Sequence, residues 1–369
     1  MGNQQKAKQY ERLHLILSLS ETVLSLLLII LFVSSGTSGI LKAFVKTWSP
    51  DPYLQLLFFV GIAGGFLSVL LFPFSFISGF WLEHRYGLSN QTFLQWMWEK
   101  TKGFLVGLVL FLPVFIVFYY FLRNYPGTWW IWTATILFLF SVILGRIAPQ
   151  VIFPLFYKFE KLDDEEIAAR MKRLSEKGNF NLDGVYRFNM SKTTKKANAA
   201  FTGLGKSKRI ILGDTLLETL TPDEIESVFA HEVGHYAHKH LLIGVITGTI
   251  SSYLSLFLAH LIYKALVSHY GFSGLDDLAA LPLLTVILSV LTFFISPLSN
   301  MLSRLHERQA DRYALKNSSE PGSFLTALEK LADKNLTDRT PSPVVEFLFH
   351  SHPSLERRLH FAESVLSKG

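Results

Sequence analysis

Six stretches of this chain stay apolar for about the length of a membrane span, and nothing else in it constrains the fold as much. They run Leu13–Val33, Leu54–Ile77, Phe104–Leu122, Trp129–Gly145, Leu241–Val267 and Ala279–Ser299. About 20 mostly apolar residues make a helix that crosses the hydrocarbon core of a bilayer. Lipid offers no hydrogen bonds, so each stretch has to be helical to satisfy its own backbone. Composition agrees: 50% of the residues are hydrophobic and only 17% are charged, against about 25% charged in a soluble domain. This disfavours an ordinary water-soluble enzyme, and so much apolar surface excludes a disordered chain. Cysteine is absent, which removes disulfides, thiolate nucleophiles and Cys-ligated metals together. Lys6, Lys8 and Arg12 precede the first stretch as they would in a signal peptide. Its apolar run exceeds the roughly 7–15 residues of a signal and no small-residue cleavage site follows, so it reads as a retained anchor.

The net charge of +6 admits two explanations, nucleic acid or basic cytoplasmic loops. The basic residues are scattered and no nucleic-acid motif appears, so the second is preferred and no nucleic-acid partner is expected. Lys6, Lys8 and Arg12, then Arg85, Lys100 and Lys102, fall on one side; Lys42 and Lys46, Arg123 and Lys264 fall on the other. That bias places both termini in the cytoplasm, at the inner membrane if the source is bacterial. The expected organisation is membrane helices over 1–147, a first catalytic part over 148–240, a transmembrane hairpin over 241–299 and a second catalytic part over 300–369. Glu21 and His260 lie inside spans, where an ionisable group is either functional or facing a neighbouring helix. Thr247, Ser251 and Ser255 form one stripe, which suits helix contact as well as a water-filled cavity.

Between the spans the pattern changes. Glu160–Asn179 is charged and helical in period, with Ile167, Met171 and Leu174 on one face. GVYRFNM and RIILGDTLL read as strands of a small sheet. Thr221-Pro222-Asp223-Glu224 is a strong helix start, with Thr221 as cap, Pro222 in the first position and Glu224 completing a capping box. That helix is expected to lead into the fifth span.

Inside it lies His231-Glu232-Val233-Gly234-His235. Histidines at i and i+4 share a helix face, so both rings reach one ion, and the glutamate beside them can take a proton from water. An apolar helix, with Val228, Phe229, Val233 and Ala237, argues against a pair of surface histidines. Catalytic zinc takes three protein ligands and keeps one open position. Without cysteine the third is His, Glu or Asp, and Glu307 in SRLHERQAD is the best candidate, on a helical stretch expected to begin just after the sixth span. Asp311, one turn on, can accept the free N–H of His231. The alternative is that Glu307 and Asp311 pair with Arg304 and Arg308 on a solvated face. His238, His240, His306 and His350 are further candidates, and a ligating His238 would close the site into a structural one.

These residues carry a resemblance. Phe72–Thr92 (FPFSFISGFWLEHRYGLSNQT), Ala148–Leu162 (APQVIFPLFYKFEKL), Ala197–Leu217 (ANAAFTGLGKSKRIILGDTLL), HEVGHYAHKH, SRLHERQAD and Ser351–Leu359 (SHPSLERRL) together resemble the type I CAAX prenyl proteases and their bacterial relatives. These are integral-membrane zinc endopeptidases. The resemblance implies a ring of membrane helices around a chamber, capped by the zinc domain. It implies one Zn2+ per chain on His231, His235 and Glu307, with Glu232 as general base and Asp311 behind the ligands. It implies a substrate strand edge at Asn198, Ala199 and Ala200, an oxyanion-steadying role for His352 and a supporting charge at Arg358. Arg357 stands where the family has Glu, Ala200 where it often has Tyr, and the spans number one fewer than in eukaryotic members.

The expected fold is therefore mainly α: a polytopic helical membrane protein of six spans, with an HExxH zinc-protease domain containing a small β-sheet. The expected function is a zinc metalloendopeptidase acting on peptide or protein substrates, prenylated or membrane-embedded, in contact with the lipid bilayer. Two rivals stand beside it: a heat-shock-type membrane quality-control protease, and a non-catalytic scaffold with a structural zinc site.

Overall fold

The computed structural model describes residues 2–178, 180, 182–202 and 208–367, with the backbone alone for residues 200–202 and 208. Among these, six helices are long and apolar enough to cross a membrane; five contain a whole expected stretch and the sixth takes up its stretch from Leu281 onward. They are α1 (Asn3–Ser34), α3 (Pro52–Arg85), α4 (Phe93–Asn124), α5 (Trp129–Phe156), α8 (His240–His269) and α9 (Leu281–Asn317). A short amphipathic helix, α2 (Thr37–Trp48), lies between the first two. Local chemistry sets several starts. Asp51 accepts from the backbone N–H groups of Tyr53 and Leu54, both at 2.9 Å, ahead of Pro52. Thr92 and Gln95 cap α4 reciprocally.

The polar part holds β1 (Phe159–Lys161), α6 (Glu165–Lys177), β2 (Leu182–Phe188), β3 (Ala199–Thr202), β4 (Lys208–Gly213), α7 (Pro222–Ala237), α10 (Ser323–Asn335), α11 (Pro343–Phe349) and α12 (Leu355–Leu366). The sheet order is β1-β2-β4-β3, with β2 and β4 parallel and the outer pairs antiparallel. Residues from both sides of the α8–α9 hairpin share one core. Met171, Leu212 and Val233 from the first side pack with Ala314, Phe324 and Leu355 from the second.

Four sequence expectations change. Glu160 and Lys161 are not helical; they pair with Arg187 and Tyr186 in the sheet. The helix waits for Asp164, whose side chain accepts from Ile167 N–H at 3.0 Å and so caps it. The run RIILGDTLL is strand only to Gly213, and Asp214–Leu217 is a one-turn helix. The HExxH helix does not continue into the fifth span. It ends at Ala237, Lys239 takes φ +58° and α8 starts at His240. The sixth span and the stretch bearing Glu307 are one 37-residue helix, running on through Pro297.

His260 is buried and accepts from Trp129 Nε1–H at 2.9 Å, so it faces a neighbouring helix. Glu21 is half-buried on α1. A cavity of about 850 Å³ lies among the spans, with Phe32, Phe59, Phe115, Trp129 and Leu284 in its wall.

Candidate metal centre

The site forms where α7 crosses α9. Gly234 lets the two backbones meet: a Cβ there would lie 2.9 Å from Ala310 Cα and 3.1 Å from Ala310 O. Ala310 and Ala314 on the facing helix are fully buried. Small residues on both helices bring the histidine face of α7 against the carboxylate face of α9. Helical spacing then does the rest, since His231 and His235 lie one turn apart on one helix, and Glu307 and Asp311 one turn apart on the other.

His231, His235 and Glu307 each offer one ligand atom, and the three atoms lie within 4.8 Å of one another. His231 Nε2 is 3.1 Å from His235 Nε2 and 3.4 Å from Glu307 Oε2; His235 Nε2 is 3.2 Å from Glu307 Oε1. Glu307 is buried, and its Oε2 receives no directed hydrogen bond despite the nitrogens around it. A buried carboxylate oxygen without a directed donor is costly unless a cation faces it. Two imidazole nitrogens and one carboxylate oxygen also match the donor set of open zinc sites. The residues therefore fit a divalent cation.

Asp311 is fully buried behind His231, with Oδ1 2.8 Å from His231 Nδ1. Burial alone would push the His231 pKa down; the Asp311 and Glu307 carboxylates outweigh it and hold it up at about 9. Arg358 grips Asp311 from the other side, Nε to Oδ2 at 3.0 Å and Nη2 to Oδ1 at 2.6 Å. Burial disfavours its charge, but Asp311 more than compensates and raises its pKa.

His352 Nδ1 lies 3.0 Å from Glu307 Oε2, on a side chain that is 62% exposed. The loop bearing it is held by Arg304, which donates to the carbonyls of Glu346 at 3.0 Å and His350 at 2.6 Å. Arg304 is thus occupied away from Glu307. Glu232 is half-buried beside the ligands in sequence. His238 bonds to the Gly234 carbonyl of its own helix at 2.8 Å and is not in the three-ligand group.

Ala199 and Ala200 open β3, one of the two edge strands of the sheet among the described residues, and Asn198 immediately precedes it. Ala199 and Ala200 pair with Leu212 and Ile211, and the Asn198 carbonyl accepts from Gly213 N–H at 3.0 Å. Ala200 enters through its backbone alone. Two contacts were not visible in the sequence. Arg358 bonds Asp311 from 47 positions away, and Gln309 meets His240. The only sequence signal for the second is that Gln309 sits between Glu307 and Asp311.

Comparison with known proteins adds to this geometry. A model described as peptidase family M48 matches residues 161–366. A model described as the CAAX prenyl protease N-terminal region, five membrane helices, matches residues 3–158. The chain is 31% identical over 361 residues to an uncharacterized metalloprotease, YhfN, of Bacillus subtilis, covering 97% of this chain and 84% of that one. It is 30% identical over 332 residues to CAAX prenyl protease 1 of Saccharomyces cerevisiae, covering 85% and 73%. The crystal structure of S. mikatae Ste24p superposes with a TM-score of 0.86 at 26% identity, covering 98% of this chain and 89% of that one.

Proposed function

The chain belongs to peptidase family M48, and from that premise we propose which of its residues carry the chemistry and what they act on. The protein is an integral-membrane zinc metalloprotease resembling the CAAX prenyl proteases. In our reading His231, His235 and Glu307 hold one Zn2+ per chain. The observation that carries this is the group of two imidazole nitrogens against a buried carboxylate, one oxygen of which, Oε2, has no directed donor.

When bound, the ion supplies Lewis acidity to the scissile carbonyl and makes the attacking water a stronger acid. Glu232 takes the proton of that water on its carboxylate and passes it to the leaving amine. Asp311 Oδ1, 2.8 Å from His231 Nδ1, favours the tautomer with its hydrogen on Nδ1, which would leave the lone pair of His231 on Nε2. Arg358 balances the buried charge of Asp311 and keeps its carboxylate aimed at the ring. His352 steadies the oxyanion of the tetrahedral intermediate from its exposed loop. The peptide adds to the outer edge of β3 at Ala199 and Ala200 and to Asn198 just before it, where main-chain hydrogen bonds give affinity without dictating sequence.

The substrates in this reading are C-terminal prenylated peptides at the membrane, supported by the similarity to CAAX prenyl protease 1 along most of the chain. The termini and the zinc site face the cytoplasm, supported by the Lys and Arg bias of the loops. Residues 148–240 and 300–369 act as two parts of one catalytic unit, supported by their shared core.

The test uses purified protein in detergent, prenylated and unprenylated peptides, and a chelator. Prenylated peptides are cleaved faster, chelator stops cleavage, and mass spectrometry finds the products. Glu232→Gln keeps its zinc and loses activity about 10²–10⁴-fold. A Glu232→Gln enzyme as fast as wild type would remove Glu232 from the mechanism. Equal cleavage with and without the prenyl group would remove the substrate assignment.

A further inference from the structure

His240 is a buried histidine that the chemistry above leaves unused. It is the first residue of α8, and Lys239 before it takes a left-handed conformation that L side chains seldom adopt. That turn folds the first side chain of α8 back against the end of α7. His240 Nδ1 lies 3.0 Å from His235 Nδ1, and His240 Nε2 lies 2.7 Å from Gln309 Oε1 on α9. The His240 ring also stacks on His306, with centroids 4.0 Å apart and planes 10° apart, which fixes its orientation.

A count of hydrogens sets the direction of this chain. Gln309 Oε1 only accepts, so His240 Nε2 carries the hydrogen between them. A neutral His240 then has a bare Nδ1, and the hydrogen between the two rings belongs to His235 Nδ1. A neutral His235 with its hydrogen on Nδ1 has its lone pair on Nε2. That is the atom 3.1 Å from His231 Nε2 and 3.2 Å from Glu307 Oε1. We infer that His240 and Gln309 are positioning residues that hold His235 in its metal-binding tautomer. They do for His235 what Asp311 does for His231, with a neutral ring in place of a carboxylate. The inference rests on the proposed ligand set, because it concerns how one ligand is prepared.

The experiment compares wild type with His240→Phe, His240→Asn, Gln309→Met and, as reference, His235→Ala. The asparagine amide can place an acceptor near the Nδ1 position without reaching Gln309. Zinc affinity is read by competition with a chromogenic chelator, ligand geometry by the visible absorption of the cobalt-substituted protein, and folding by the melting temperature of zinc-free protein. His240→Phe lowers zinc affinity about 10–100-fold and shifts the cobalt spectrum, without moving the zinc-free melting temperature. His240→Asn recovers most of the affinity, and Gln309→Met loses less than His240→Phe. If His240→Phe keeps wild-type affinity and spectrum while His235→Ala loses zinc, the inference is overturned and the ligand set stands. If His240→Phe and His240→Asn lose affinity equally and both melt earlier without zinc, the role is packing and the inference is overturned. If His235→Ala keeps zinc, the ligand set itself fails.

Discussion

Adding one methyl group at Gly234 separates the geometry of the metal centre from the stability of the fold. In Gly234→Ala the new Cβ would lie 2.9 Å from both Ala310 Cα and Tyr313 Cβ. Carbon atoms rest at about 3.5–4.0 Å, so α7 and α9 must part by about 0.6–1.1 Å at the contact. The obstacle includes helix backbone, which cannot swing aside as a side-chain tip would. Alanine gains about 1 kcal/mol over glycine in helix propensity, while overpacking costs about 1–3 kcal/mol. The net loss of stability is therefore within about 2 kcal/mol. The ligands suffer more, because His231 and His235 flank the wedge on one helix while Glu307 stands on the other. Metal sites tolerate ligand displacements of about 0.2 Å, and a misplacement of about 1 Å costs on the order of 10²-fold in rate. Gly234→Ala should lose at least about tenfold in zinc affinity and about 100-fold in kcat/KM. Gly248→Ala on α8, with nothing within 4 Å of its Cβ, serves as the control. Chelator competition and peptide cleavage in detergent measure both. Unchanged zinc affinity and kcat/KM in Gly234→Ala would refute the claim that close helix contact sets the ligand geometry.

Three more outcomes follow from the same structure. Arg358→Met strands the buried Asp311 carboxylate and should destabilise zinc-free protein by about 3–5 kcal/mol; adding Asp311→Leu should restore much of it, and a single-variant loss below about 1 kcal/mol would contradict the ion pair. Glu224 accepts from Thr221 N–H and Lys330 Nζ, both at 2.8 Å, and although burial opposes its charge these partners hold its pKa below 4.5. Its contribution is thus present above the unfolded pKa and lost as pH falls through the lower folded one. Glu224→Gln should cost about 1.5–3 kcal/mol at neutral pH and nothing in strong acid; a cost independent of pH in thermal melts would count against it. The chain has no cysteine, so Lys8→Cys and Tyr270→Cys report orientation cleanly: an impermeant thiol reagent should label the first only from the cytoplasmic side and the second only from the opposite side, and the reverse pattern would invert the proposed topology.

The parts whose physics is local can be read from the order of the residues alone. A helix in lipid satisfies its own backbone, so six apolar stretches suffice to locate six spans. A capping box and an i, i+4 histidine pair are properties of a few consecutive residues, so the HExxH helix and its start were legible, as was the shared face of Glu307 and Asp311. Tertiary structure decided what depends on distant partners. Glu160 and Lys161 are strand because Arg187 and Tyr186 pair with them, which their own charged pattern does not reveal. Arg358 turns to Asp311 because burial leaves that carboxylate no water to solvate it. His240 meets His235 because the left-handed turn at Lys239 separates the two helices there. Glu307 reaches the histidines because Gly234 and Ala310 let two helices touch. Backbone satisfaction is settled residue by residue along the chain. Close approach and the neutralisation of buried charge are settled only when separate segments meet.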